Sequence, residues 1–165
     1  MRRLKRWLRE GVFLLLLVAA ALWGMDWLRS PTLPADLAQQ PLTSLQGEVN
    51  LAALSRERPV LIYVWATWCG VCKLTTPSVA ALSQSGTQVV SVALRSGNAA
   101  RVATWLQKKG VQSIAVNDEN GALSARWQIN VTPTFIVLHQ GKVVSTNSGW
   151  TSGWGLKLRL WWAAR

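Results

Sequence analysis

The two cysteines of this chain, Cys69 and Cys72, are separated by two residues inside the stretch "YVWATWCGVCKLTTP", Tyr63 to Pro77. Two thiols at that spacing can hold a metal, close a small disulfide or exchange electrons. A structural zinc site needs four ligands. The chain has no third cysteine, and its single histidine, His139, falls in a predicted strand beside a turn, so an intramolecular zinc site is not expected. A linear Cu(I) site needs only two soft thiolates and stays open as a copper-binding module or chaperone. A purely structural disulfide across so short a loop adds little, because stabilisation grows with loop length. Redox exchange fits the surroundings best. Cys69 follows an apolar strand and opens a helix, where free N–H groups and the positive helix end stabilise a thiolate. Cys72 lies one turn further in, close enough to be bridged with little backbone change. Gly70 is expected to allow a tight turn, and Lys73 adds positive charge. An outer thiolate with a shielded partner is what two-step thiol–disulfide exchange requires.

The elements that must hold this pair can be read on either side of it. "PLTSLQGEVNL" predicts a short hairpin turning at Gln46–Gly47, and "AALSRERP" a short helix or turn stopped by Pro59. "VLIYVW" (60–65) is a continuous apolar run, the pattern of a strand buried on both faces. "CKLTTPSVAALSQSG" has helical spacing with Leu74, Val79 and Leu82 toward one face, a kink expected at Pro77 and an end at Gly86. "TQVVSVAL" predicts a second buried strand. "NAARVATWLQKKG" predicts a helix capped by Asn98, with Val102, Trp105 and Leu106 as its apolar stripe. A short strand "VQSIAVN", a short helix "ENGALSARWQI", a hairpin "TFIVLHQGKVVST" turning at Gly141 and a last helix "SGWGLKLRLWWAAR" complete the chain. Helices alternating with strands and ending in a hairpin predict an α/β sandwich. Trp65 reads as core, and core packing is also expected for Trp150, Trp154, Trp161 and Trp162, with a partner-facing or membrane-facing patch as the alternative.

The 165 residues suffice for one domain and a short appendage, and half of them are hydrophobic, which excludes compositional disorder. Eighteen Lys and Arg against seven Asp and Glu give +11. Five of those bases (Arg2, Arg3, Lys5, Arg6, Arg9) lie in the first ten residues; from Ser30 onward 12 bases against 5 acids leave +7. A basic surface raises the question of nucleic acid, but no nucleic-acid motif is present and none is expected as partner. The basic run is followed by "GVFLLLLVAAALWGM" (11–25), uncharged throughout. As a helix it covers roughly 22 Å, lengthened if Asp26, Trp27 and Leu28 reach the interface, with Trp7, Trp23 and Trp27 as boundary residues. This predicts a cytoplasmic N-terminus, a single transmembrane anchor over residues 1–29 and an exported remainder. A cleaved signal peptide ending at the small residues Ala19–Ala21 is the competing reading; a twin-arginine signal is weaker, because Arg2–Arg3 lacks the usual surroundings. "SPTLPADLAQQP" has three prolines and no apolar period, which predicts a linker over 30–41 and a folded domain over 42–165.

"WATWCGVCK", followed by Pro77 five residues after Cys72, resembles the thioredoxin superfamily, and "VTPTF" (131–135) matches the loop where its members carry a cis-proline facing the cysteines. The resemblance covers about residues 42–162. "LTSLQGEVNLAAL…RPVLIYVWATWC" looks most like the exported, membrane-tethered branch of TlpA, ResA, CcmG (DsbE) and, above all, ScsD-type proteins. It implies a thioredoxin-like three-layer sandwich with a mixed central sheet, and a protein disulfide oxidoreductase at the bacterial inner membrane whose catalytic domain faces the periplasm. Cys69 would be the attacking and Cys72 the resolving cysteine of a redox-active disulfide. Trp68, Gly70, Val71, Thr132 and Pro133 would meet the substrate, Thr132 and Pro133 by presenting backbone to an extended strand. Implied partners are protein thiols and disulfides, among them apocytochrome c or copper-stress proteins, and a transmembrane dithiol electron carrier; no cofactor or metal is implied. The chain departs from the pattern where many thioredoxins bury an acid six residues before the first cysteine. Tyr63 stands there, and "LRSGNAAR" supplies Arg95 and Arg101 where several tethered relatives have a glutamate. With no carboxylate evident beside Cys72, water or a backbone group must move its proton. A redoxin-type peroxidase is a remote rival: Thr67 stands two residues before Cys69, but the proline expected before it is missing.

Overall fold

The computed structural model describes residues 2–29 and 31–165; the side chains of 2–6, 22, 23 and 26–29 lie outside the described residues, and with them the roles expected of Trp23, Asp26, Trp27 and Leu28. The chain divides into two units between residues 30 and 31. The first is one helix, α1 (Arg2–Arg29). Its described apolar side chains from Val12 to Val18 are all exposed. Among the described residues no helix is long and apolar enough to cross a membrane.

The second unit is a five-stranded sheet with helices on its faces. Its elements are β1 (Leu42–Ser44), β2 (Gly47–Val49), α2 (Leu51–Leu54), β3 (Val60–Trp65), α3 (Gly70–Gln84), β4 (Gln88–Leu94), α4 (Ala99–Lys109), β5 (Ile114–Asp118), α5 (Ala122–Arg126), β6 (Thr134–His139), β7 (Lys142–Ser148) and α6 (Gly153–Ala163). The strand order is β5-β4-β3-β6-β7. β3, β4 and β5 run parallel, while β6 and β7 are antiparallel to their neighbours. The apolar run of β3 has its reason in this position. Leu61, Tyr63 and Trp65 face a core completed by Val79 and Leu82 of α3, Val102 and Leu106 of α4, and Leu156 of α6. Val60, Ile62 and Val64 face the opposite core, with Leu51, Trp127 and Ile129. Burial on both faces removes the need for alternation. β1 and β2 form a separate hairpin that covers the edge of β5. The Leu45 N–H donates to the Ala115 carbonyl at 2.7 Å, and the Ala115 N–H to Gln46 Oε1 at 3.1 Å, so that edge is not left open for pairing.

Four expectations are corrected. The segment 30–41 is not a linker throughout: a 3-10 turn, Leu37–Gln39, buries Leu37 and Ala38 in the core behind β3. Its apolar residues are too few to show a period, so only tertiary contact reveals them. The first hairpin turns at Leu45–Gln46, since Gly47 already pairs with Ser44. Leu74 is exposed, and the inward positions of α3 are Cys72, Thr75, Thr76, Val79, Ala80, Leu82 and Ser83; α3 runs unbroken through Pro77. Finally, Trp150, Trp154, Trp161 and Trp162 are exposed, not core. α6 carries apolar residues on both faces and turns Leu156 and Ala163 inward.

Candidate redox site

The strand register assembles the site at one end of the sheet. β3 and β4 end side by side (Trp65 opposite Ala93), and β6 starts beside the end of β3 (Thr134 opposite Val64). The loops after β3 and β4 and the loop before β6 therefore meet outside the carboxyl ends of the parallel strands, where α/β sheets form their sites. Cys69 ends the first of these loops and caps α3. Its backbone is extended (φ −84°, ψ 113°), and its sulfur accepts the Cys72 N–H at 3.1 Å. The loop is tied down on both sides. The Cys69 N–H donates to the Ala66 carbonyl at 3.2 Å, and the Thr67 N–H donates to Oγ of the buried Ser96 at 2.9 Å.

Cys69 and Cys72 form a disulfide, with their Cα atoms 5.3 Å apart. Cys69 keeps 7 % of its surface exposed and Cys72 none, so of the two cysteines solvent reaches Cys69. Across from it, Thr132–Pro133 is cis, and the Thr132 carbonyl oxygen lies 3.5 Å from Cys69 Sγ. That loop is pinned from behind. The Thr134 hydroxyl donates to the Val131 carbonyl at 2.6 Å, and the Gly149 N–H to the Pro133 carbonyl at 2.7 Å. Pro133 is buried, Thr132 half-buried and Val131 exposed. Trp68 is 62 % exposed, and its indole N–H donates to the Arg95 carbonyl at 3.2 Å. Arg95, with φ at 44°, holds the left-handed conformation uncommon for a side-chain-bearing residue. Val71 and Gly70 lie exposed on the first turn of α3. The turn does not need Gly70: a Cβ there would meet nothing within 4 Å, so the steric reason expected for this glycine is not present.

Beneath Cys72 lies a hydroxyl cluster that the residue pattern did not disclose. The Thr76 hydroxyl donates to the Cys72 carbonyl at 2.6 Å and the Thr75 hydroxyl to the same oxygen at 3.2 Å. The hydroxyl of Tyr63 lies 3.0 Å from Thr76 Oγ1 and 3.3 Å from the Cys72 carbonyl. Two adjacent threonines inside a helix, one turn after the cysteine, were the available signal, because mid-helix threonines commonly bond back to the preceding turn. Burial pushes the Tyr63 phenol above its ordinary value, and the hydrogen bonds with Thr76 and Thr75 pull against this. The group below Cys72 is therefore a neutral phenol. Among the described residues Asp118 is the one buried carboxylate, and it is committed elsewhere: its oxygens accept the Leu123 and Ser124 N–H groups at 3.0 and 2.8 Å, capping α5.

A disulfide at the start of a helix, opposite a cis-proline loop at the end of a mixed sheet, is the arrangement of the thioredoxin fold, and the chain's matches agree with it. The Redoxin family model matches residues 32–152. The chain belongs to the Redoxin family. A thioredoxin-like protein of Haemophilus influenzae is 43 % identical over 162 residues, covering 98 % of this chain and 97 % of that one. The thiol:disulfide interchange protein DsbE of Pseudomonas fluorescens biotype C is 28 % identical over 148 residues, covering 85 % and 83 %. The crystal structure of a secreted Mycobacterium tuberculosis disulfide oxidoreductase superposes with a TM-score of 0.65 at 20 % identity, over 75 % of this chain and 96 % of that one. This Redoxin member stands on the DsbE-like branch of the thioredoxin superfamily, and the resemblance read from "WATWCGVCK" and "VTPTF" holds.

Proposed function

We propose that this thiol–disulfide oxidoreductase acts on exported polypeptides from the periplasmic face of the bacterial inner membrane, with Cys69 attacking and Cys72 resolving. One observation carries the division of labour: Cys69, its sulfur beside the Thr132 carbonyl, is reached by solvent, whereas Cys72 is fully buried. In the reduced protein the Cys69 thiolate attacks one sulfur of a substrate disulfide. A mixed disulfide forms and the other substrate sulfur leaves as a thiolate that takes up a proton. Cys72 then gives up its proton and attacks the Cys69 sulfur. The Cys69–Cys72 bond re-forms, the remaining substrate sulfur leaves as a thiol, and two electrons have passed to the substrate. The reverse sequence oxidises a substrate dithiol. Trp68, Val71 and the Thr132–Pro133 backbone border the path to Cys69 and are the surfaces a substrate strand would touch. A transmembrane dithiol carrier is the proposed partner that resets the pair.

The anchor is supported by the uncharged run 11–25 and by the five bases before it. A basic run before an apolar one favours a cytoplasmic N-terminus. The experiment is trapping in vivo. Cys72→Ser should accumulate mixed disulfides through Cys69, and Cys69→Ser few; equal trapping by both would refute the roles. Protease added to spheroplasts should remove residues 31–165 and leave a membrane-bound stub. A mature chain starting at Leu22 would refute the anchor.

A further inference from the structure

The outward face of α6 is the part of the molecule that the redox reading leaves unexplained. Positions 154, 157, 158, 161 and 162 recur at three- and four-residue steps and so form one stripe along the helix, and position 165 follows just beyond its end. They are Trp154, Lys157, Leu158, Trp161, Trp162 and Arg165. The apolar ones are exposed, at 81 % for Trp154, 63 % for Leu158, 50 % for Trp161 and 68 % for Trp162. A solvent-facing helix stripe should be polar, and a contiguous apolar patch marks a contact surface. The stripe has a second property. Lys157 Nζ lies 5.4 Å from the Trp154 ring, and the Arg165 guanidinium 3.6 Å from that of Trp161, so cation and indole alternate along it. Along the chain the charge is of one sign here: from residue 142 to 165 there are four bases (Lys142, Lys157, Arg159, Arg165) and no Asp or Glu.

We propose that this face of α6 lies on an anionic phospholipid bilayer surface, the indoles at headgroup level and Lys157 and Arg165 against lipid phosphates. Tryptophan favours that boundary because its ring is apolar and its N–H is not. Lysine and arginine favour it because their stems follow apolar surface while their heads reach the phosphates. A protein partner or a second copy would have to match paired indoles each covered by a cation; an anionic lipid surface does so without specific geometry. The inference rests on α6 alone and depends neither on the redox cycle nor on α1.

The test is hydroxyl-radical footprinting of the full chain with vesicles of phosphatidylcholine alone or mixed with phosphatidylglycerol, oxidation being read at each tryptophan by mass spectrometry. Flotation with each vesicle type reports the α1 anchor separately. Each basic group near an anionic surface favours it by roughly fivefold, so Lys157 and Arg165 together favour mixed vesicles by about thirtyfold. Oxidation of Trp154, Trp161 and Trp162 should therefore slow severalfold in mixed vesicles only, with Trp68 unchanged. Substitution of Lys157→Glu with Arg165→Glu, both on exposed positions, should abolish the difference. Equal oxidation of Trp154 in the two vesicle types overturns the proposal. So does protection that survives the double substitution, or that rises with the protein-to-lipid ratio in phosphatidylcholine, which would assign the face to a second copy.

Discussion

Tyr63 offers the sharpest test of the hydroxyl cluster beneath Cys72. Its ring stacks between Phe135 at 5.2 Å and Trp65 at 6.5 Å, and Tyr63→Phe keeps those contacts. What is lost is the hydroxyl. The Thr76 proton already goes to the Cys72 carbonyl, so the Tyr63 proton serves Thr76 Oγ1 at 3.0 Å or that carbonyl at 3.3 Å. One hydrogen bond of this kind is worth about 1 kcal/mol net, and at neutral pH the variant should be less stable by that amount. At alkaline pH the difference narrows. Burial raises the folded phenol above the ordinary tyrosine value of 10.0. Above that value the unfolded chain gives up the proton while the folded chain still holds it. Stability is intact below about pH 10 and falls by roughly 1.4 kcal/mol per unit as the pH climbs toward the folded value. The phenylalanine variant has no such proton. The wild-type advantage should thus shrink as the pH rises above the ordinary tyrosine value. The assay is urea denaturation across a pH series, with the near-ultraviolet absorbance of the phenolate followed in parallel; the chain has one tyrosine, so that signal belongs to Tyr63 alone. Parallel decline of both proteins, or phenolate appearing in the folded protein at the ordinary tyrosine pH, would refute the reasoning.

Asp118→Ala should cost about 2–4 kcal/mol, because two N–H groups at the start of α5 lose a charged acceptor. Asp118→Asn should recover about half of that by keeping one oxygen, and an unchanged urea midpoint in the alanine variant would contradict the cap. Leu37→Ala should cost about 2–5 kcal/mol if this residue belongs to the core as its full burial shows; a midpoint unchanged from wild type would return the segment to the status of a linker.

The site was legible in the sequence wherever its chemistry is local. Cys69 at a helix start with Cys72 one turn on is a relation over four residues, set by helix geometry alone. The order of helices and strands followed from hydrophobic period, and the burial of Trp65 from its place in an unbroken apolar run. The cis-proline loop was legible only through family resemblance, since nothing local brings Thr132 to Cys69 across 63 positions. Tertiary structure decided what depends on which neighbour arrives. It set the Thr132 carbonyl against the outer sulfur, and the Arg95 carbonyl under the Trp68 indole. It put the Tyr63 and Thr76 hydroxyls beneath Cys72 and drew Leu37 into the core. It also left the α6 tryptophans outside. Apolar residues occur on both faces of that helix, and period can state that two faces exist, but only the packing of Leu156 and Ala163 against the rest of the chain determines which face is inside.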